Sequence, residues 1–172
     1  GAGAAGITIA REFAGQAQSV CLLESGGHSF EPGAQSLNEG ESGGVLSQPL
    51  NGIRLRGLGG TTAVWSGRCR PLDGLDFDAR DWVPNSGWPF AKSEMDPYYL
   101  RAHEVCELGP YDYDVASWEA ATGTARLPIE AGTVENAVFQ NSPPTQFGVK
   151  YKPEIATAPN IQCFLHATVT GL

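Results

Sequence analysis

Apolar positions along the chain change their period several times, and each change predicts an element. Small residues from Gly1 to Gly6 lead into the segment ITIAREFAG, where Ile9 with Phe13 and Ala10 with Ala14 are spaced i, i+4. That spacing predicts a short amphipathic helix, with Gly15 as its C-terminal stop. Ser19 to Glu24 is a short apolar run closed by Ser25-Gly26-Gly27, and its length and flanks predict a buried parallel strand. Helix then strand is half of a βαβ unit, so a strand is expected before Gly1. Residues 26–60 are glycine-rich and weakly periodic, which predicts a long loop. Trp65, Trp82 and Trp88 fall in an irregular stretch that is expected to pack on something large. A helix is predicted from Ser93 or Asp96 to about Leu108, with Pro97 in its first turn and Gly109-Pro110 as the stop. Residues 110–150 read as turns. A short helix is predicted from Lys152 to Ala158, and Ile161 to Thr170 alternates as a strand does.

Composition narrows the classes. The 172 residues are 41% hydrophobic, enough for a packed core, with 11 basic against 19 acidic residues and a net charge of −8. An acidic chain without a basic cluster is a poor partner for nucleic acid or an anionic membrane surface. No apolar run has the length of a membrane span, and none reads as a signal peptide. Gly1 falls inside a motif, so the chain reads as cut, and cytoplasm and periplasm both stay open as its compartment. Cys21, Cys69, Cys106 and Cys163 form no C-x-x-C pair and are expected to be scattered, mostly buried thiols.

The opening Gly1-x-Gly3-x-x-Gly6 fits the dinucleotide-binding fingerprint. Gly1 would make the tight turn, Gly3 would let the backbone approach a pyrophosphate, and Gly6 would let the helix sit close to the sheet. The helix N-terminus then offers free N–H groups to phosphates. Glu24 ends the next strand 18 residues after Gly6, where a carboxylate can accept from adenosine ribose hydroxyls. This fingerprint serves nicotinamide and flavin cofactors alike. A second motif runs from Arg56 to Gly67, RGLGGTTAVWSG, in which paired glycines and two hydroxyl residues make a tight turn with exposed N–H groups.

Taken together, GAGAAG…LLESGG, RGLGGTTAVWSG, RPLDGLDFDARDWVPNSGWPF and EMDPYYLRA resemble the glucose–methanol–choline oxidoreductases, especially the bacterial sugar-dehydrogenase and pyranose-oxidase-like branch. FQNSPPTQFGVKY and NIQCFLHATVTGL extend the resemblance over nearly the whole chain. The resemblance implies an α/β, Rossmann-like FAD-binding domain lacking its first strand. Residues 1–172 would be its N-terminal part, and residues 61–150 would include loop-rich segments facing the flavin and substrate region. Gly1, Gly3, Ala5 and Gly6 are similar to the pyrophosphate loop, and Glu24 to the ribose carboxylate. Gly59, Gly60, Thr61 and Thr62 resemble the turn around the flavin, with Arg56 as the basic residue before it. Ser66 resembles a hydroxyl near the reactive edge of the flavin, and Val169 a position whose backbone meets adenine. The implied activity is oxidation of a CH–OH group of a sugar or other alcohol, with hydride transfer to the flavin and an electron acceptor left open.

Two departures matter. Val64 stands where the pyranose oxidases bond a histidine to the flavin, so non-covalent FAD is expected. The family's catalytic His and its His or Asn partner would lie beyond Leu172, so no residue here takes that role. Two rivals share the opening fingerprint: an NAD-dependent dehydrogenase, and a cofactor-binding fragment without turnover. His103-Glu104-Val105-Cys106-Glu107 is not a zinc-protease motif and is expected on an exposed helix face. Asp76 to Asp81 lacks the glycine and glutamate of a calcium loop. His28, on a loop, and His166, in the expected strand, lack partners at ligand spacing, and no G-x-S-x-G elbow occurs.

Overall fold

A computed structural model describes residues 1–41, 43, 48–130 and 132–171. In chain order the elements begin with α1 (Ala4–Glu12), β1 (Val20–Leu23), α2 (Pro32–Gln35) and α3 (Leu50–Ile53). A 3-10 turn over Gly60–Ala63 precedes β2 (Arg68–Cys69), α4 (Gly74–Phe77), α5 (Lys92–Val105) and α6 (Val115–Thr122). β3 (Gln140–Asn141), α7 (Phe147–Lys150), α8 (Lys152–Thr157) and β4 (Ile161–Phe164) complete the mixed α/β chain. It divides into two compact units, one of residues 1–65 with 145–172 and one of residues 66–144.

In the first unit β1 and β4 run parallel, with Val20 opposite Ile161 and Leu22 opposite Cys163. Helix α1 packs on β1 and α8, and α8 on β4. The core joins Ala2, Ile7, Ala10, Leu22, Phe147, Tyr151, Ile155 and Ile161. The buried stripe of α1 is therefore Ile7 with Ala10, not the predicted pairs: Ile9 is 59% exposed, and Phe13 and Ala14 also face solvent. Small residues decide this, because the glycine-flanked side of the helix can approach β1 more closely than the Ile9 side. Gly15 does turn left-handed (φ 73°), three residues after the helix ends.

β1 is buried only at Leu22, and its neighbour Cys21, which alternates to the opposite face, is exposed. Cys163 is exposed too, while Cys69 and Cys106 are half-buried. The expectation of mostly buried thiols fails because the two-stranded sheet leaves its cysteines uncovered. β4 stops at Phe164, six residues short of the predicted Thr170, where the chain bends and His166 adopts φ 54°. His166 therefore lies outside any strand, and so does Val169, which is 54% exposed. The predicted loop over 26–60 holds single helical turns at α2, Ser36–Asn38 and α3; its residues 42 and 44–47 lie outside the described residues.

The second unit is built on α5 and the antiparallel pair β2–β3, with Cys69 opposite Gln140. α5 starts at Lys92, earlier than predicted, because Glu94 reaches back to accept from the Ala91 N–H at 3.0 Å. Pro97 consequently sits in the second turn rather than the first. The stop is Glu107 (φ 55°), and the Leu108 N–H donates to the His103 carbonyl at 2.9 Å, ahead of Gly109-Pro110. α6 was not predicted, although Asp114 accepts from the Ser117 N–H at its start and Gly123 (φ 69°) ends it. Trp82 and Trp88 are exposed, contrary to expectation; Trp88 joins a small ring cluster with Phe90 and Phe77. Trp65 belongs to the first unit, where its indole donates to the Thr145 carbonyl and meets Phe147 edge-on.

Candidate functional site: a glycine-rich cleft closed by a buried glutamate

Gly3 precedes α1 without contributing a side-chain cap, and no acidic residue occupies the first turn. The Ile7 N–H is the first to close a helical turn, donating to the Gly3 carbonyl at 2.9 Å. The N–H groups of Ala4, Ala5 and Gly6 precede it and have no intrahelical acceptor. Gly6 is required by close approach, since a Cβ there would stand 1.9 Å from the Gly1 carbonyl oxygen and 3.5 Å from Leu22 Cδ1. The tightest neighbour is thus the loop itself rather than the sheet. Gly3 is different: its φ is −79°, and the nearest atom to an added Cβ is 4.0 Å away. Nothing in the fold demands glycine at that position, so the space it leaves is open to a ligand.

The second glycine motif lies beside the first. Gly3 and Gly59 form a parallel bridge, and the Gly59 N–H donates to the Ala2 carbonyl at 2.7 Å. Gly59 (φ 94°) and Gly60 (φ 55°) both need left-handed backbone, and a Cβ on Gly60 would come 3.0 Å from Gly3 Cα.

Glu24 ties the segments together. Its Oε2 accepts from the Ala2 N–H at 2.8 Å, and its Oε1 accepts from the N–H groups of Gly26 and Gly57, each at 3.0 Å. The Ser25 hydroxyl donates weakly to Oε1 at 3.4 Å. Glu24 is only 6% exposed, yet three backbone donors offset the loss of water around its charge. Oε2, with one partner here, is the oxygen with capacity left for a ligand hydroxyl.

The Arg56 guanidinium donates to Ser25 Oγ (2.8 Å), Asn38 Oδ1 (2.7 Å) and the Leu37 carbonyl (3.2 Å). Its own N–H donates to Gln35 Oε1, while Gln35 Nε2 donates to the carbonyls of Asn51 and Arg54. Sequence reasoning missed Gln35 and Ser25; the only signal for Ser25 was its place directly after Glu24. The hydroxyl of Thr62 is buried, donating to the Gly59 carbonyl at 2.6 Å and accepting from the Phe147 N–H at 3.2 Å. Thr61 is exposed and accepts from the Leu55 N–H. The turn was expected to expose N–H groups, but those of Gly59, Gly60 and Thr62 are spent on the Ala2, Gly57 and Gly59 carbonyls. A 3-10 turn consumes the donors that an open turn would present.

An open cleft of about 410 Å³ results, lined by Gly1, Gly3, Ala5 and Gly6 on one side and Arg56, Gly60, Thr61 and Thr62 on the other, with Glu24 and Ser25 between. Gly59 supports this wall without lining it, and Val169 is not among the lining residues. Ser66 belongs to the second unit. Chemically the cleft offers uncapped helix N–H groups and one guanidinium for an anion, and a carboxylate for hydroxyls.

The second unit has a cleft of about 190 Å³ lined by Arg70, Lys92, Tyr111 and Tyr113 among others. Its polar groups are paired internally: Asp96 accepts from Lys92 at 2.8 Å and from Tyr111 at 2.9 Å, and Arg70 pairs with Asp73. Hydrogen bonds from Lys92 and then Tyr111 hold the Asp96 carboxyl below its ordinary range. His103, expected on an exposed face, is buried, because Tyr111 and Tyr113 fold over it edge-on. Its Nδ1 meets the Gly109 carbonyl and its Nε2 the Tyr113 hydroxyl, each at 2.9 Å. Burial foremost pushes Tyr113 up to about 12.

Among the described residues no group of three or more His, Cys, Asp or Glu is placed to hold a metal, and no helix is long and apolar enough to cross a membrane. Compared with protein-family models, curated proteins and solved structures, the chain finds no match.

Proposed function

We propose that this chain forms the cofactor grip of an FAD-dependent oxidoreductase acting on the CH–OH group of a sugar or other alcohol, as its resemblance to the glucose–methanol–choline oxidoreductases implies. The parallel strands with a helix packed against them are compatible with a Rossmann-like FAD domain. One observation carries the reading: two glycine motifs more than fifty residues apart meet at the uncapped start of α1, clamped by Glu24. The first-turn N–H groups of α1 would hold the pyrophosphate, with Gly3 leaving room for it. Glu24 Oε2 would accept a ribose hydroxyl. Arg56, fixed through Ser25 and Asn38, would add positive charge at the rim.

When bound, FAD supplies the two-electron chemistry that no amino-acid side chain offers. The residues described here bind and orient. Val64, 71% exposed, has no nucleophilic atom, so FAD would be held without a covalent bond through this turn.

The test is titration of the chain with FAD, followed by flavin fluorescence, with NAD in parallel. FAD is expected to bind and NAD to bind at least tenfold more weakly. Gly3→Ala should fold normally, because the added methyl meets no protein atom closer than 4.0 Å, yet weaken FAD by tenfold or more. Tighter binding of NAD than of FAD would overturn the flavin reading. Unchanged FAD affinity in Gly3→Ala would overturn the placement of the pyrophosphate.

A further inference from the structure

Two cysteines of the second unit meet across elements. Cys69 lies in β2, held in register opposite Gln140, and its thiol donates to the Gly67 carbonyl at 3.4 Å. Cys106 caps the end of α5, where its N–H donates to the Ala102 carbonyl at 2.8 Å before the chain turns left-handed at Glu107. Both backbones are thus fixed, and Gln140, opposite Cys69, donates from its Nε2 to the Pro110 carbonyl at 2.7 Å, which seats the β2–β3 pair against the turn that follows Cys106 and brings the two thiols side by side. Both residues are half-buried. Among the described residues no third metal-ligating side chain joins them, so the pair does not make a metal site.

We propose that Cys69 and Cys106 are a dithiol that closes into an intramolecular disulfide, joining β2 to the C-terminal end of α5. Closure by a low-molecular-weight disulfide proceeds by two exchanges. One cysteine thiolate attacks the reagent, forming a mixed disulfide and releasing one reagent thiol. The second thiolate then attacks the protein sulfur of that mixed disulfide and releases the other reagent thiol. The two cysteines lose two protons and two electrons, and the reagent is reduced to two thiols. The second exchange is favoured because the fold holds the attacking sulfur beside its target.

Burial raises both thiols: Cys106 is pushed up to about 11, and Cys69 is also raised, although the hydrogen bond from Cys106 opposes the shift. The groups facing the pair include Tyr113, itself raised, with Arg70 and Tyr111 close to it. The first attack is therefore slow near neutral pH and quickens as the solution becomes alkaline.

Cys21 and Cys163, exposed in the first unit, serve as internal controls. The experiment incubates the whole chain with oxidised glutathione at pH 7 and pH 9, blocks free thiols with an alkylating agent and maps the peptides by mass spectrometry. The expected product is a peptide pair joined through Cys69 and Cys106, two hydrogen atoms lighter than the sum, formed faster at pH 9. Cys21 and Cys163 should carry glutathione or the alkyl group. Cys69→Ser should abolish the cross-link and leave Cys106 singly modified. The oxidised wild-type chain should melt at a higher temperature than the reduced one, with no such difference in Cys106→Ser. Recovery of Cys69 and Cys106 as separately modified residues at both pH values overturns the proposal, and so does their joining to Cys21 or Cys163. The mapping of the wild-type chain decides the matter even if a serine variant does not fold, and it does so whether or not FAD binds.

Discussion

The glycine-rich cleft of the first unit and the tyrosine–histidine cluster of the second are both organised around a buried polar side chain, but they satisfy it differently. Glu24 is surrounded by backbone N–H groups from three separate segments. His103 is surrounded by aromatic rings and bonded to one carbonyl and one hydroxyl. The first arrangement leaves an open cleft with spare donors at a helix start, whereas the second closes on itself. The difference teaches that a buried polar residue marks a binding site only when the surroundings keep unspent hydrogen-bonding capacity. His103 spends its own internally; the start of α1 does not.

The contrast is broken most severely at Glu24. Glu24→Ala removes the acceptor of three buried backbone donors, and the expected loss is about 3–5 kcal/mol in denaturant unfolding. Glu24→Gln keeps one oxygen acceptor and should lose about 1–2 kcal/mol. Stability unchanged in both variants would show that the carboxylate clamps nothing.

Gly6→Ala is next. A methyl 1.9 Å from the Gly1 carbonyl forces the loop to shift, at an expected cost of about 2–3 kcal/mol despite the better helix propensity of alanine. Set beside Gly3→Ala, which should leave stability within about 0.5 kcal/mol, it separates the glycine that the fold needs from the glycine that a ligand needs. Urea midpoints of the two variants check this directly.

In the second unit Tyr113→Phe removes one partner of His103 Nε2 and should cost about 1–2 kcal/mol. It should also alter the alkaline response. The raised Tyr113 (from 10.0 to about 12) means that the unfolded chain releases this proton first. Its contribution to stability is therefore complete below pH 10 and lost as the pH rises from 10 to 12. Cys106, raised from 9.0 to about 11, acts in the same direction between pH 9 and 11. Stability measured across that range should fall less steeply above pH 10 in Tyr113→Phe than in the unaltered chain. An identical slope would place the loss elsewhere.

The smallest effect is expected at the surface of the first unit. Arg11 pairs with Glu154 at 2.6 Å and also lies over the Tyr151 ring, 3.8 Å from its centroid. Glu154→Gln should change stability by about 0.5 kcal/mol, an amount that added salt would further reduce. A larger loss would mean that the pair matters to the approach of α8 to α1.

Much of the cleft was legible because its chemistry is carried by backbone. A position that only glycine fits shows as glycine, as at Gly6, Gly59 and Gly60, while Gly1 and Gly3 were legible through the spacing of the fingerprint. α8 was legible as a short segment ended by Pro159, and the parallel character of β1 through its short apolar run. α6 was legible and overlooked: Asp114 at its start and Gly123 after its end are ordinary boundary signals, obscured by the turn-rich residues around them.

The sequence by itself determined which backbone positions must be small, where the helices around α1 and α8 run, and that Glu24 follows the strand whose end faces the loop. Only the tertiary structure decided that Ile7 rather than Ile9 is buried, that His103 lies under two tyrosines, that the N–H groups of Gly59, Gly60 and Thr62 are spent, and that Cys69 lies beside Cys106. The physical reason is the range of the forces involved. Glycine conformation, capping and periodicity act within a few residues and leave their mark locally. Burial and side-chain pairing depend on which distant segment arrives alongside, and no window of sequence contains both partners.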